Sequence, residues 1–130
     1  MREKKKNKLS RLEMEVMEPL WKMGNASIRQ IHESLPEEKR PEFTTVQTII
    51  YRLEEKGAVQ RLHKIGNAYI FKTQITRKSA IGNLVDDLLS LLGGSPNPMM
   101  AHLLETGKIT LKELKQMETF VNNTRTKDKK

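Results

Sequence analysis

The hydrophobic period of the chain first changes at Gly57, and that change restricts the architecture more than any other feature. Before it, apolar residues recur every three or four positions in three segments. Each segment opens with a hydroxyl residue three positions ahead of Glu or Gln. Ser10 and Glu13 precede Val16, Met17, Leu20 and Trp21, with Leu12 on the same stripe. Ser27 and Gln30 frame Ile28, Ile31 and Leu35, and Thr44 and Gln47 frame Val46, Ile49, Ile50 and Leu53. Such a pair makes a capping box, in which the hydroxyl accepts an orphan amide and the longer side chain reaches back. Gly24-Asn25, Pro36 and Gly57 stop the three helices. Pro19 lies inside the first and forfeits the bond to the residue 15 carbonyl, which predicts a kink or an irregular last turn. After Gly57, Val59 to His63 and Ala68 to Thr73 are rich in branched and aromatic residues and read as strands. Gly66-Asn67 between them suits a type II′ turn. Three helices followed by a two-stranded ribbon form a winged helix-turn-helix.

The chain then returns to helix. Ile81, Leu84, Val85, Leu88, Leu89, Leu91 and Leu92 are too many apolar residues for one buried stripe, and Gly93-Gly94 ends the run. A second helix is expected from Pro96 or Asn97 to Glu105, carrying Met99, Met100, Leu103 and Leu104. A third, capped by Thr110 with Glu113, carries Leu111, Leu114, Met117, Phe120 and Val121. Leucines on several faces require a partner, and a second copy of the same chain is the simplest one. The expected dimer interface comprises Leu84, Leu88, Leu91, Leu92, Leu103, Leu104, Leu114, Met117 and Phe120. The fold class is therefore mainly α with a small β-hairpin. It has a basic flexible tail over 1–8, a winged helix domain over 9–75, a helical dimerisation region over 76–122 and a second basic tail over 123–130.

Composition narrows the function. A net charge of +8 favours a polyanionic partner, and lysine runs at both ends (Lys4, Lys5, Lys6, Lys8 and Lys127, Lys129, Lys130) read as solvated tails or phosphate contacts. With no cysteine, disulfides, thiolate zinc sites and cysteine nucleophiles are excluded. No apolar run is long enough to span a bilayer, and charges interrupt Leu9 to Met23, so no signal peptide is expected and the chain reads as cytoplasmic. His32, His63 and His102 fall on separate elements without metal-ligand spacing, and no phosphate-binding loop or nucleophile motif occurs. Neither enzyme activity, cofactor nor metal is expected. The seven methionines mostly fall at core spacing and read as filling.

The third helix carries the chemistry of a DNA reader. Its outer side shows Thr44, Thr45, Gln47, Thr48, Tyr51 and Arg52. Thr45 and Thr48 suit phosphates or a thymine methyl, Gln47 suits adenine, and Arg52 suits guanine or phosphate. Tyr51 offers a ring and a hydroxyl. Arg61, His63, Lys64 and Asn67 lie on or beside the hairpin, where a wing meets backbone or minor groove. Tyr69 and Phe71 share a strand face and read as core rather than stacking platform. A winged module used only for protein contact is the alternative, and Glu54 and Glu55 count in its favour.

Several of these residues also carry a family likeness. Thr44-Thr45-Val46-Gln47-Thr48 through Arg52-Leu53, then Lys56-Gly57, Val59, Arg61, Gly66, Ala68-Tyr69 and Phe71, resemble the recognition helix and wing of the penicillinase and methicillin-resistance repressors (BlaI/MecI type). Leu12-Glu13 through Leu20-Trp21 with Gly24 resembles that family's first helix, and Gly94, Ala101 to Glu105 and Leu111 to Leu114 resemble its dimerisation helices. The resemblance implies a homodimeric repressor on a palindromic operator of antibiotic-resistance or stress-response genes. It also implies a membrane sensor-protease as partner, cutting an Asn-Phe bond whose position here is occupied by His102-Leu103. Copper-responsive relatives use a cysteine cluster, which this chain lacks.

Overall fold

A computed structural model describes residues 8–128, the last four by backbone alone. The lysines at positions 4–6, 129 and 130 lie outside the described residues, as does the Lys127 side chain. Among the described residues, six helices and one three-stranded antiparallel sheet follow in the order α1 (Arg11–Met23), β1 (Asn25–Ser27), α2 (Ile28–Ser34), α3 (Phe43–Lys56), β2 (Val59–Ile65), β3 (Ala68–Thr73), α4 (Arg77–Leu91), α5 (Asn97–Glu105) and α6 (Leu111–Asp128), with a 3-10 turn at Glu37–Lys39 before α3. The chain divides into two compact units, and the boundary falls inside α4, after Asp87.

Two of the capping boxes form as the spacing predicts. The Ser10 hydroxyl accepts from the Glu13 amide (3.2 Å) while the Glu13 carboxylate accepts from the Ser10 amide (2.8 Å), and Ser27 with Gln30 repeats the arrangement. α1 runs through Pro19 to Met23, and the Gly24 amide still donates to the Leu20 carbonyl at 2.8 Å, so the expected irregular last turn is not seen. Proline removes only its own amide from the ladder, and Pro19 is buried, so packing holds the helix together.

α3 begins differently from its sequence signal. Glu42, not Thr44, is the N-cap, and no side chain caps it. The Glu42 carbonyl accepts the amides of Thr45 and Val46, which puts Thr44 already inside the helix. Phe43 packs edge-on against His32 of α2, with ring centroids 5.7 Å apart, and draws the first turn onto α2. The Gln47 side chain therefore does not reach back to Thr44 but donates to the Tyr51 hydroxyl at 3.2 Å.

The third strand, β1, is too short to show a period. It pairs with β3 (Asn25 with Lys72, Ala26 with Phe71, Ser27 with Ile70) and makes the sheet order β1-β3-β2. Ser27 ends this strand and caps the next helix. The core lies between the three helices and the sheet: Val16, Met17 and Leu20 of α1, Ile31 of α2, Val46, Ile49, Ile50 and Leu53 of α3, with Ala26, Val59 and Phe71 from the strands. Trp21 packs on its margin and donates its indole N–H to the Ile75 carbonyl (3.0 Å).

In the second unit, the Thr110–Glu113 box caps α6 (2.9 and 3.2 Å). α6 continues to Asp128, so residues 123–128, expected as flexible tail, are helical. Residues 122–128 contain neither glycine nor proline, so no helix breaker interrupts them.

Candidate nucleic-acid interface

α3 presents one face to the core and another to solvent. Opposite the buried Val46, Ile49, Ile50 and Leu53, the side chains of Thr45, Thr48 and Arg52 follow one another at helical spacing and are exposed, as are Thr44 and Tyr51. Gln47 is half-buried. The Thr48 hydroxyl donates to the Thr44 carbonyl (3.0 Å), which leaves its oxygen lone pairs free to accept.

The hairpin is built as its turn residues require. Ile65 pairs with Ala68, so the loop has two residues. Gly66 takes φ +63° while the φ of Asn67 is not positive, which makes the turn type II′. Asn67 and Lys64 are exposed at this tip. Between Arg61 and Lys64 the register shifts, because Arg61 pairs with Phe71 and Lys64 with Tyr69. Three steps on β2 thus match two on β3, a bulge that puts both cations on the sheet face that carries Tyr69 and Phe71.

Tyr69 and Phe71 have different fates on that face. Phe71 is core, at 1% exposure, whereas Tyr69 is 40% exposed and so is not the core residue expected. The Arg61 guanidinium lies 4.5 Å from the Tyr69 ring centroid, and the Lys64 ammonium 5.2 Å from it. The sheet edge lies open here, so the outer ring reaches solvent. Arg61 also makes two hydrogen bonds to Glu54 of α3 (2.9 and 3.2 Å), which hold it more firmly protonated than a free guanidinium against the opposing effect of burial. Neither the bulge nor this pair was legible beforehand, since both depend on strand register. A cleft of about 440 Å³ lies between α3 and the hairpin and is lined by Arg29, Phe43, Gln47, Tyr51 and Tyr69. Arg29, at its rim, carries no sequence signal of a role.

The second unit lacks an interior of its own. Among the described residues, no side chain from Leu88 onward is buried. Leu91 is 83% exposed and Phe120 70%; Leu84, Leu88, Leu92, Leu104 and Met117 are also exposed, while Leu103 and Leu114 are half-buried. His102 and Leu103 lie near the end of α5, where the His102 carbonyl accepts from the Thr106 amide (3.0 Å) and hydroxyl (2.8 Å). No helix among the described residues is long and apolar enough to cross a membrane.

Three packed helices, a hairpin with a basic tip and an outward polar helix face define a winged helix-turn-helix transcription regulator. The chain belongs to the penicillinase repressor family, whose profile matches residues 9–123. It is 26% identical over 115 residues to the penicillinase repressor of Bacillus licheniformis, covering 88% of this chain and 89% of that one. It is 29% identical over 104 residues to the transcriptional regulator BlaI of Mycobacterium tuberculosis, covering 78% and 75%. Among solved structures, a mutant MarR from E. coli complexed with operator DNA aligns at TM-score 0.49 with 15% identity, covering 89% of this chain and 75% of that one. The reduced form of MarR from E. coli aligns at 0.48, also with 15% identity, covering 89% and 77%. Membership makes this protein a DNA-binding transcriptional repressor and not an enzyme.

Proposed function

We propose that this protein represses transcription as a homodimer, with each α3 in the major groove of one half of a palindromic operator. The observation that carries the reading is the exposed line Thr45, Thr48, Arg52 set back-to-back with the buried Val46, Ile49, Ile50 and Leu53. A helix fixed on one side and hydrogen-bonding on the other is what base readout needs. Arg52 has the fork for guanine, Gln47 the amide for adenine, and Thr44, Thr45 and Thr48 suit backbone or a thymine methyl. Lys64 and Asn67 at the hairpin tip meet the adjoining backbone. Dimerisation is supported by a second unit with no buried side chain among its described residues, since helices so apolar need a partner surface. Two-fold protein symmetry then demands a two-fold operator.

In this reading the protein acts in the cytoplasm on antibiotic-resistance or stress-response genes. A membrane sensor-protease that relieves repression meets His102-Leu103 at the cleavage position, near the end of α5. Selection from random duplexes with the purified protein tests the reading. It should enrich a two-fold symmetric motif, and Arg52→Ala should relax one position in each half-site by about 10- to 100-fold. Enrichment of no motif would overturn specific DNA reading, and an unpaired half-site would overturn the dimer.

A further inference from the structure

We infer that Arg61 is a positioning residue that locks the hairpin to α3, leaving Lys64 as the hairpin cation that meets phosphate; the second half of this assignment rests on the DNA-binding reading above.

Glu54 lies in the last turn of α3 and Arg61 on β2, on opposite sides of the Gly57 corner. Both side chains are only one-third exposed, so the pair is sheltered from full solvent screening. Its geometry is a fork on a carboxylate: Nη2 donates to Oε1 at 2.9 Å and Nε to Oε2 at 3.2 Å. Three rings surround the same guanidinium, Tyr51 of α3 at 5.4 Å and Tyr69 and Phe71 of β3 at 4.5 and 5.3 Å. One side chain thus touches the recognition helix and both arms of the hairpin. A lysine could supply the charge but neither the planar fork nor the stacking.

The bulge completes the arrangement. In a regular strand, residues three apart face opposite sides, and Lys64 would point away from Tyr69. The extra residue turns it back onto that ring, so two cations converge on the Tyr69 ring. Glu54 bonds to Arg61. Among the described residues no carboxylate lies within ion-pair distance of Lys64. An arginine already neutralised by Glu54 releases few counterions on meeting DNA, whereas an unpaired exposed lysine releases about one.

The full-length protein tests both halves. Without DNA, amide hydrogen exchange in β2 and β3 should speed up about tenfold in Arg61→Met and in Glu54→Gln, with α1 protection unchanged, and the double variant should be no faster than either single. Arg61→Lys should exchange as fast as Arg61→Met. Hairpin protection unchanged in the single variants, additive effects in the double, or full rescue by Arg61→Lys would each overturn the lock. With a random-sequence duplex, the slope of log K against log salt should fall by about 0.9 in Lys64→Met and stay at the parent value in Arg61→Met. The reverse pattern would make Arg61 the phosphate contact and overturn the second half. Failure of the parent to bind any duplex would instead remove the DNA-binding reading, with the exchange experiment still deciding the lock.

Discussion

The Lys56 ammonium lies 2.6 Å from Glu13 Oε1, tying the last turn of α3 to the first turn of α1. Glu13 is 1% exposed and completes the α1 capping box with the same oxygen, while its Oε2 is buried without a hydrogen-bond partner. Lys56 also donates to the Lys8 carbonyl at 3.1 Å. One carboxylate thus caps a helix and anchors the C-terminal end of the recognition helix. Burial by itself pushes the Glu13 carboxyl up, but the hydrogen bonds from Lys56 and the Ser10 amide, with the charge of Lys56, outweigh it and hold the group below its ordinary 4.5.

A depressed carboxyl stabilises the fold fully above its ordinary value and loses that contribution as pH falls through the lowered one. Urea titrations from neutral pH to below 4.5 should therefore show a steep loss in the parent and a shallower one in Glu13→Gln. At neutral pH, Lys56→Met should cost about 2–3 kcal/mol, because it strands a buried carboxylate. Glu13→Gln should cost less, and adding it to Lys56→Met should recover part of the loss. A double variant no more stable than Lys56→Met alone would count against a tether.

α3 starts without a side-chain cap, since Glu42 occupies the N-cap position and makes no such bond. Glu42→Ser should place a hydroxyl where it can accept an amide of the first turn and raise stability by about 1 kcal/mol in chemical unfolding. Thr44→Ala should leave stability unchanged or raise it by a few tenths of a kcal/mol, because Thr44 lies exposed inside the helix, where alanine is the better helix former. A loss of 1 kcal/mol or more in Thr44→Ala would mean that Thr44 is the cap after all.

These outcomes show where the sequence was legible. The Ser10–Glu13, Ser27–Gln30 and Thr110–Glu113 boxes were readable because cap and responder are three residues apart and need nothing else. Thr44–Gln47 has the same spacing but failed, because Phe43 meets His32 from another helix and the N-cap falls two residues earlier, at Glu42. β1 escaped notice because three residues carry no period, and its partner Lys72 lies far along the chain. The polar face of α3 was visible in its periodicity. The link from Glu54 to Arg61 was not, since it depends on the Gly57 corner and on a bulge in the register.

The apolar surface of the second unit gives a direct solution test. Leu91→Asp and Phe120→Asp alter the two most exposed of its apolar side chains named in the expected interface. Each should weaken dimerisation by at least about thirtyfold in sedimentation, as for a buried interface anchor of about 2 kcal/mol. The unfolding midpoint of the first unit should stay close to the parent's, because the main cluster of buried apolar residues in that unit runs from Val16 to Phe71. A parent that sediments as a monomer at high concentration would remove the dimer.

Gly66 sets the hairpin tip, and its role is conformational rather than steric. An added Cβ there meets nothing within 4 Å, yet φ is +63°. The first central position of a type II′ turn is accessible almost only to glycine, so Gly66→Ala should cost about 1–2 kcal/mol through backbone strain alone. The double variant Gly66→Asn with Asn67→Gly should recover most of that loss, since Asn-Gly favours the type I′ turn, which joins the same two strands with the same two residues. Exchange of the β2 and β3 amides follows the hairpin directly: fast in Gly66→Ala, near the parent rate in the double variant. Were Gly66→Ala as well protected as the parent, the turn would not need its positive φ, and Lys64 and Asn67 would not owe their positions to it.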